Sequence, residues 1–334
     1  LRRLGGLFPE IVSVRNLWRG WRDFRQGKRR RPSVREFEVD AQRQVFRLRR
    51  ALIRGTYTPG EFRLVGIQEP KRRLISAAPV RDRVVHHAVH RVLAPRLDRS
   101  LIDTTFACLP GRGSHRAIVH FLSALRRFRH VLLLDIRHYF LSIDREILLE
   151  LMGRQIKDQD LLRLLARIAE SGDGIYQRPR VAEFLGLPPG FPPPGCGLPI
   201  GNLTSQWWGN HYLSGVDHFI KRELKIPAYQ RYMDDLALFA DSASRLEEAR
   251  GQIQEWLREH RHLRLKRPNA AVRRTTAPFT YLGYRVTQAG IRPTSKFLQR
   301  MQARVMELVL QGDIDKLERS VASCRGLLTF PTGL

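Results

Sequence analysis

The stretch AYQRYMDDLALFAD, residues 228–241, sets Asp234 and Asp235 side by side between two short apolar runs, the pattern of a hairpin. Asp favours turns and water solvates its charge, so a carboxylate pair in a turn needs no function of its own. A second acid changes the reading. In HVLLLDI, residues 130–136, a buried strand runs straight into Asp135. A carboxylate at the mouth of such a strand is costly unless something neutralises it. Three converging carboxylates would raise one another's pKa unless cations held them. Hard oxygen ligands of this kind suit Mg²⁺, which is bound by few carboxylates plus substrate phosphates. Two such ions can activate a hydroxyl and stabilise a leaving pyrophosphate. Spacing alone does not bring the three acids together.

The charge balance names a partner for that chemistry. The 334 residues carry 59 Lys or Arg against 32 Asp or Glu, a net charge of +27, which favours a polyanion such as nucleic acid over a surface charged only for solubility. A hydrophobic share of 43% excludes a disordered tail. Cys108, Cys196 and Cys324 are odd in number and far apart, which argues against a disulfide framework or a zinc site and suits a reducing cytosol. No apolar run approaches the ~18 residues of a membrane span, and LRRLGGLF lacks the core of a secretory signal. The chain opens on Leu1 rather than Met, which points to trimmed ends.

Residues 1–50 hold 15 basic and 5 acidic residues, with Trp18, Trp21 and Phe24 at helical spacing. One face of that helix is expected to pack its rings while Arg19, Arg22, Arg25 and Lys28–Arg31 meet phosphate. A second helix is expected over 36–54. Strands FRLVGI and RRLISA follow, joined by QEPK, then a helix over 79–97 in which His86 and His87 serve packing or surface. Further helices are expected over 114–128, from Asp144 with Ser142 or Asp144 as cap, over 203–223, over 243–260 and from 295. The Pro/Gly-rich segment 185–201 is a loop, and FTYLGYRV a strand pair. Strands alternating with helices, plus hairpins, indicate an α+β protein.

In this order the motifs resemble those of a reverse transcriptase, from about residue 60 to 290. LLLDIRHYFLSID is similar to the first palm motif, YMDD to the signature hairpin, and TYLGY (280–284) to the primer grip. The resemblance implies a right-hand polymerase, with a basic N-terminal helical extension over 1–60, fingers and palm over 61–290 and a helical thumb starting at 291. It implies that Asp135, Asp234 and Asp235, with the Ile136 carbonyl, hold two Mg²⁺ ions. Phe140 would lie under the incoming sugar and exclude a 2′-hydroxyl, with Tyr139 a competing candidate. Lys71, Arg72 and Arg73 would clamp the triphosphate of a dNTP, beside Ile200 and Gly201. Template and primer contacts fall on Arg81, Arg112, Gly113, Ser205, Gln206, Tyr232, Met233, Leu282, Gly283 and Tyr284. Arg81 and Arg83 are also placed to meet acidic side chains, and the glycines of ACLPGRGSHRA to bring backbone amides to phosphate.

GLPIGNLTSQWWGNHYL narrows the subtype. Its Ile200-Gly201 and Ser205-Gln206 resemble the diversity-generating retroelement enzymes, which copy a template-repeat RNA with errors at adenines. That likeness implies a structured RNA, an accessory protein oligomer and a cytoplasmic, bacterial or phage-encoded enzyme with no membrane partner. A retron-type or defence-associated enzyme is the alternative within the class. A maturase-like RNA-binding factor with a dispensable polymerase site is the alternative outside it. Two departures stand out. The place of a common family lysine falls on Asn269, with Lys266 and Arg267 just before it, and Trp207-Trp208-Gly209 puts unusual bulk into the palm helix.

Overall fold

The computed structural model describes residues 3–68, 71–312 and 314–330. Helices α1 (Leu7–Ile11), α2 (Val14–Arg25), α3 (Pro32–Val39) and α4 (Ala41–Ile53) precede strands β1 (Arg63–Ile67) and β2 (Arg73–Ala77). Helices α5 (Val80–Leu97) and α6 (Ser114–Arg127) lead into strand β3 (His130–Asp135). There follow helices α7 (Tyr139–Ser142), α8 (Arg145–Gln155), α9 (Gln159–Glu170), α10 (Pro179–Leu185), α11 (Leu203–Tyr212) and α12 (Ser214–His218). Strands β4 (Ala228–Tyr232) and β5 (Asp235–Ala240) flank the YMDD turn, and helix α13 (Ala243–Arg261) comes next. Strands β6 (Arg273–Arg274), β7 (Phe279–Tyr281), β8 (Tyr284–Thr287) and β9 (Gly290–Pro293) are followed by helices α14 (Ser295–Leu310) and α15 (Ile314–Thr329). Helices with antiparallel sheets make this the α+β chain that the sequence indicates.

The chain divides into two compact units that are interleaved along the sequence. The first contains the described residues through Ile102, then Ile136–Asp217 and Glu255–Arg264. In it α2 lies against α5, and Gly20 makes that approach possible: a Cβ there would sit 2.8 Å from the Val84 carbonyl oxygen. Leu17, Trp21 and Phe24 are buried on the same face. Trp18 is not; it is 38% exposed, because the stripe that packs runs through Leu17 and Gly20 instead. The single helix expected over 36–54 is two helices, broken where Asp40 turns the backbone to φ −130°, ψ 36°. Strands β1 and β2 form the expected hairpin, registered from Arg63↔Ala77 to Ile67↔Arg73. Residues 69 and 70 of its QEPK connection lie outside the described residues. Asp144, rather than Ser142, caps α8 by accepting from the Glu146 and Ile147 amides. The helix expected over 203–223 breaks after Tyr212, resumes as α12 and ends in a π-helical turn at Phe219–Glu223.

The second unit holds Asp103–Asp135, His218–Gln254 and the described residues from Leu265 onward. Its four-stranded antiparallel sheet has the order β4-β5-β3-β6. Residues of β3 and β5 are buried on both faces, which explains why HVLLLD reads as a continuous apolar run rather than an alternating one. The expected FTYLGYRV pair is part of a three-stranded sheet, β7-β8-β9. Phe121, Phe239, Phe279 and Tyr281 pack together beneath these strands. Among the described residues no helix is long and apolar enough to cross a membrane, and the three cysteines are unpaired.

Candidate active site

Strand register brings the acids together. In the β3–β5 ladder Leu134 faces Leu236 and Asp135 faces Asp235. Directly opposed residues of an antiparallel pair project to one face with Cβ atoms ~4.5–5.5 Å apart. In the β4–β5 ladder Tyr232 faces the same Asp235, so only Met233 and Asp234 form the turn. Met233 has φ 58°, an uncommon state for a long side chain that costs ~1–3 kcal/mol and persists only where the surroundings impose it. Arg231 helps to impose it. The Arg231 side chain is fully buried, and its Nη1 donates to the Met233 carbonyl at 3.0 Å. Sequence reasoning passed over Arg231, although a lone cation in the otherwise uncharged AYQRY was the available signal.

Lys266 completes this corner. Its main-chain N–H donates to the Asp135 carbonyl at 2.8 Å, and its Nζ donates to Asp135 Oδ2 at 2.8 Å. The hydrogen bond to Asp135 holds the ammonium above its ordinary pKa, against partial desolvation. The pair is 37–45% exposed, so it stabilises the fold by only ~0–1 kcal/mol. Among the described residues no three His, Cys, Asp or Glu side chains form a ready cation cage. Register gives a facing pair, Asp135 and Asp235, with Asp234 adjoining in the turn. Two hard carboxylates at an open strand end, one of them already drawing a cation, fit Mg²⁺ that takes its remaining ligands from water and phosphate. Ile136 continues β3 with its side chain buried, so only its carbonyl is suited to serve.

The other residues of the second unit fall into two groups. Tyr232 and Met233 are half-buried beside the acids, and Leu282 and Gly283 form the β7–β8 turn with φ 47° and φ 90°, both in the left-handed region that two-residue hairpins favour. Tyr284 differs from expectation as a primer contact. It is 1% exposed and its hydroxyl donates to the Leu327 carbonyl, because β8 alternates and places it on the core face. Gly113 does not offer its amide to phosphate either, since that N–H donates to the Phe106 carbonyl at 2.9 Å. Arg112 donates to the Thr105 carbonyl at 2.7 Å and lies 3.7 Å from Asp103.

In the first unit Lys71, Arg72 and Arg73 are exposed at the β1–β2 hairpin. Tyr139 and Phe140 separate cleanly. Tyr139 is buried and its hydroxyl donates to the Gly209 carbonyl, whereas Phe140 is half-buried on a small cluster with Leu74, Tyr176 and Ile200. The Ile200 backbone is held on both sides: its carbonyl accepts from the Ser76 amide at 2.7 Å, and its amide donates to Tyr176 Oη at 3.3 Å. Gly201 has φ 109°, and a Cβ there would lie 2.9 Å from Ile75 Cγ2, so no larger residue fits. Arg81 donates to the Thr58 carbonyl and to Asp82, and stacks on Tyr57, so it is tied to its own unit through an acidic side chain. Gln206 is exposed, but Ser205 is 2% exposed inside α11 and cannot present its hydroxyl to a strand. The Trp207 bulk has a purpose: its Nε1 donates to Asp98 Oδ1 at 2.8 Å, and His211 Nε2 meets the same oxygen at 3.0 Å. Nothing in the structure explains Trp208, whose buried indole nitrogen has no hydrogen-bond partner among the described residues.

Comparison with known proteins places this geometry in a family. Over 317 aligned residues the chain is 26% identical to Protein YkfC of Escherichia coli (strain K12), covering 84% of this chain and 78% of that protein. It is 24% identical over 165 residues to an uncharacterized 91 kDa protein in a cob intron of Schizosaccharomyces pombe (strain 972 / ATCC 24843), covering 49% of this chain and 19% of that protein. Among solved structures, telomerase from Candida albicans in complex with a TWJ fragment of telomeric RNA superposes with a TM-score of 0.46 at 11% identity. That superposition covers 71% of this chain and 46% of the telomerase chain, so the present chain spans less than half of it. Residues 67–286, which include Asp135, the YMDD turn and Lys266, match the reverse transcriptase (RNA-dependent DNA polymerase) family. The chain belongs to that family and is a nucleotidyltransferase, an RNA-directed DNA polymerase, by class.

Proposed function

We propose that this chain copies an RNA template into cDNA by adding dNTPs to a primer 3′-end, and does so with low fidelity in a diversity-generating retroelement. The observation that carries the polymerase reading is the Asp135↔Asp235 register with Lys266 on Asp135. Two Mg²⁺ ions, when bound, supply Lewis-acid activation of the 3′-hydroxyl and charge neutralisation at the leaving pyrophosphate. The residues Asp135, Asp234 and Asp235, with the Ile136 carbonyl, would hold them. Lys71, Arg72 and Arg73 on the β1–β2 hairpin orient the triphosphate, Arg through bidentate hydrogen bonds. Phe140 lies against the sugar. In the terms of the family, the β1–β2 hairpin belongs to the fingers, the β4-β5-β3-β6 sheet to the palm and α14–α15 to the start of the thumb. RNA-templated primer extension with labelled dNTPs is the test; no extension on any RNA tried with a complementary primer would overturn the reading.

The place of the common family lysine falls on Asn269, and in this reading Lys266, three residues earlier, takes the proton-donating role instead. Its ammonium donates to Asp135, which puts a proton donor at the acidic corner where the pyrophosphate would depart. A positioned acid of this kind contributes ~10²-fold or more, so Lys266→Gln is expected to slow single-turnover incorporation by about that factor, and Lys266→Arg to restore little of it, because a guanidinium does not give up its proton. Equal rates for all three forms would remove Lys266 from the chemistry.

The subtype rests on Ile200, which packs against the same cluster as Phe140. An amide at that place can hydrogen-bond near the templating pair and an aliphatic chain cannot. One such contact is worth ~0.5–1.5 kcal/mol of discrimination, or about two- to tenfold in error rate. Ile200→Gln is expected to lower misincorporation opposite template adenines, read by sequencing cDNA from both forms on one RNA. Low wild-type errors spread evenly over the four template bases would sink the diversity-generating assignment and its implied partners, a template-repeat RNA and an accessory protein oligomer. The likeness to a protein in a cob intron favours a second reading, a maturase-like RNA-binding factor. RNA processing that survives loss of the three aspartates would select it.

A further inference from the structure

Gln230 lies in β4, two residues before the Tyr232 that faces Asp235, and it is fully buried. An amide in the core is costly unless its polar atoms are bonded. Here they are. Gln230 Nε2 donates to the Ala117 carbonyl at 3.0 Å and to Tyr281 Oη at 2.9 Å. Its Oε1 lies 2.6 Å from His120 Nδ1. A main-chain carbonyl can only accept, so the contact with Ala117 fixes which end of the amide is nitrogen. His120 then carries its proton on Nδ1 and donates to Gln230.

Three segments distant in the chain meet on this one side chain: α6 through Ala117 and His120, β4 itself, and β7 through Tyr281. The Tyr281 ring also stacks on Phe121 of α6, with centroids 4.4 Å apart. Tyr281 ends β7 and pairs with Tyr284 across the Leu282–Gly283 turn. On the other side, β4 runs from Gln230 through Tyr232 into the Met233–Asp234 turn. One amide thus ties both hairpin turns to the same helix. Burial raises the Tyr281 pKa and the charge on Asp235 raises it further, against the Gln230 hydrogen bond. The hydroxyl therefore lies within the field of the acidic corner and stays protonated. A methionine would fill the same space with no polar group to satisfy, so packing alone does not account for a glutamine. A fully satisfied buried network does something packing does not: it holds one arrangement rigidly.

We propose that Gln230 is a positioning residue. It pins the Leu282–Gly283 turn to the strand that carries the YMDD turn, so that a primer 3′-end held at the first meets the ions at the second in one fixed place. This role rests on the polymerase reading and adds to it the side chain that aligns the two turns. A misplacement of about 1 Å imposed from outside the reacting groups can cost ~10²-fold in rate, which makes such alignment worth a buried amide.

Primer extension on RNA by the full chain in single turnover, with enzyme in excess, is the test, read beside dNTP dependence, primer–template affinity and the urea midpoint. Tyr281→Phe removes one hydroxyl and is expected to slow incorporation about two- to tenfold, with half-saturating dNTP and primer–template affinity unchanged. A merely structural bond would lower the urea midpoint alone, because the rate in enzyme excess is that of the folded molecules. Gln230→Met keeps the volume and loses all three bonds, so a drop of roughly ten- to a hundredfold is expected. Adding Tyr281→Phe to Gln230→Met should slow it no further, since that bond is already gone. Should Gln230→Met fail to fold, His120 decides. His120→Leu should slow incorporation, and His120→Asn, which keeps an N–H donor near the place of Nδ1, should restore it. Wild-type rates in Tyr281→Phe and His120→Leu, or additive losses in the double variant, would overturn the positioning role and leave the polymerase reading standing. A wild-type chain that extends no primer would overturn the polymerase reading, and this role with it.

Discussion

Asp235→Asn and Asp135→Asn are each expected to lower dNTP incorporation by roughly a thousandfold while RNA affinity holds or rises slightly. The two carboxylates face each other at the open end of the β3–β5 ladder, where, in the proposed reaction, they would hold the ions that stabilise transferring phosphoryl charge. Loss of such stabilisation costs several kcal/mol, and ~4 kcal/mol corresponds to about a thousandfold in rate. Binding moves the other way because each change removes a negative charge from a chain at +27. The fold should persist, since the Asp135–Lys266 pair is partly exposed and worth little. Single-turnover extension measured beside RNA titrations checks both halves. Incorporation near the wild-type rate in either variant would remove the facing pair from the chemistry.

Phe140→Ala is expected to raise ribonucleotide use relative to dNTP use by up to about 10²-fold, the scale on which an apolar pocket discriminates a single added hydroxyl. The half-buried ring of Phe140 sits on the cluster that holds Ile200, and its removal opens space without breaking a polar contact. Tyr139→Phe is the contrast. Its hydroxyl donates to the Gly209 carbonyl from inside the core, so its loss should cost ~1 kcal/mol of stability and leave sugar selection unchanged. Parallel extension with rNTPs and dNTPs reads both. A shift in selectivity from Tyr139→Phe, with none from Phe140→Ala, would exchange the two roles.

Much of this was legible in the chain because the signals are local. Three leucines ending in Asp135, and Asp234–Asp235 between two apolar runs, mark strands and a turn by composition and order alone. The β1–β2 hairpin, the Pro/Gly loop and the helices at 79–97 and 114–128 were visible in the same way. Trp18, Ser205 and Tyr284 were not. Whether a side chain faces core or solvent depends on which neighbour its element packs against, and the spacing of residues admits more than one stripe. The break at Asp40 is likewise a tertiary choice, since the helical period continues across it.

The sequence by itself determined the acidic residues, the basic balance and the α+β class, since composition and short-range periodicity carry them. Only the tertiary structure decided that Asp135 lies opposite Asp235, a pairing across 100 residues that a one-residue slip would undo. The same long-range packing brought Lys266 rather than Asn269 onto Asp135, set Trp207 on Asp98 and joined Gln230 to Tyr281. Those contacts join elements distant in the chain, and their geometry is set by strand register and helix packing that no local pattern records.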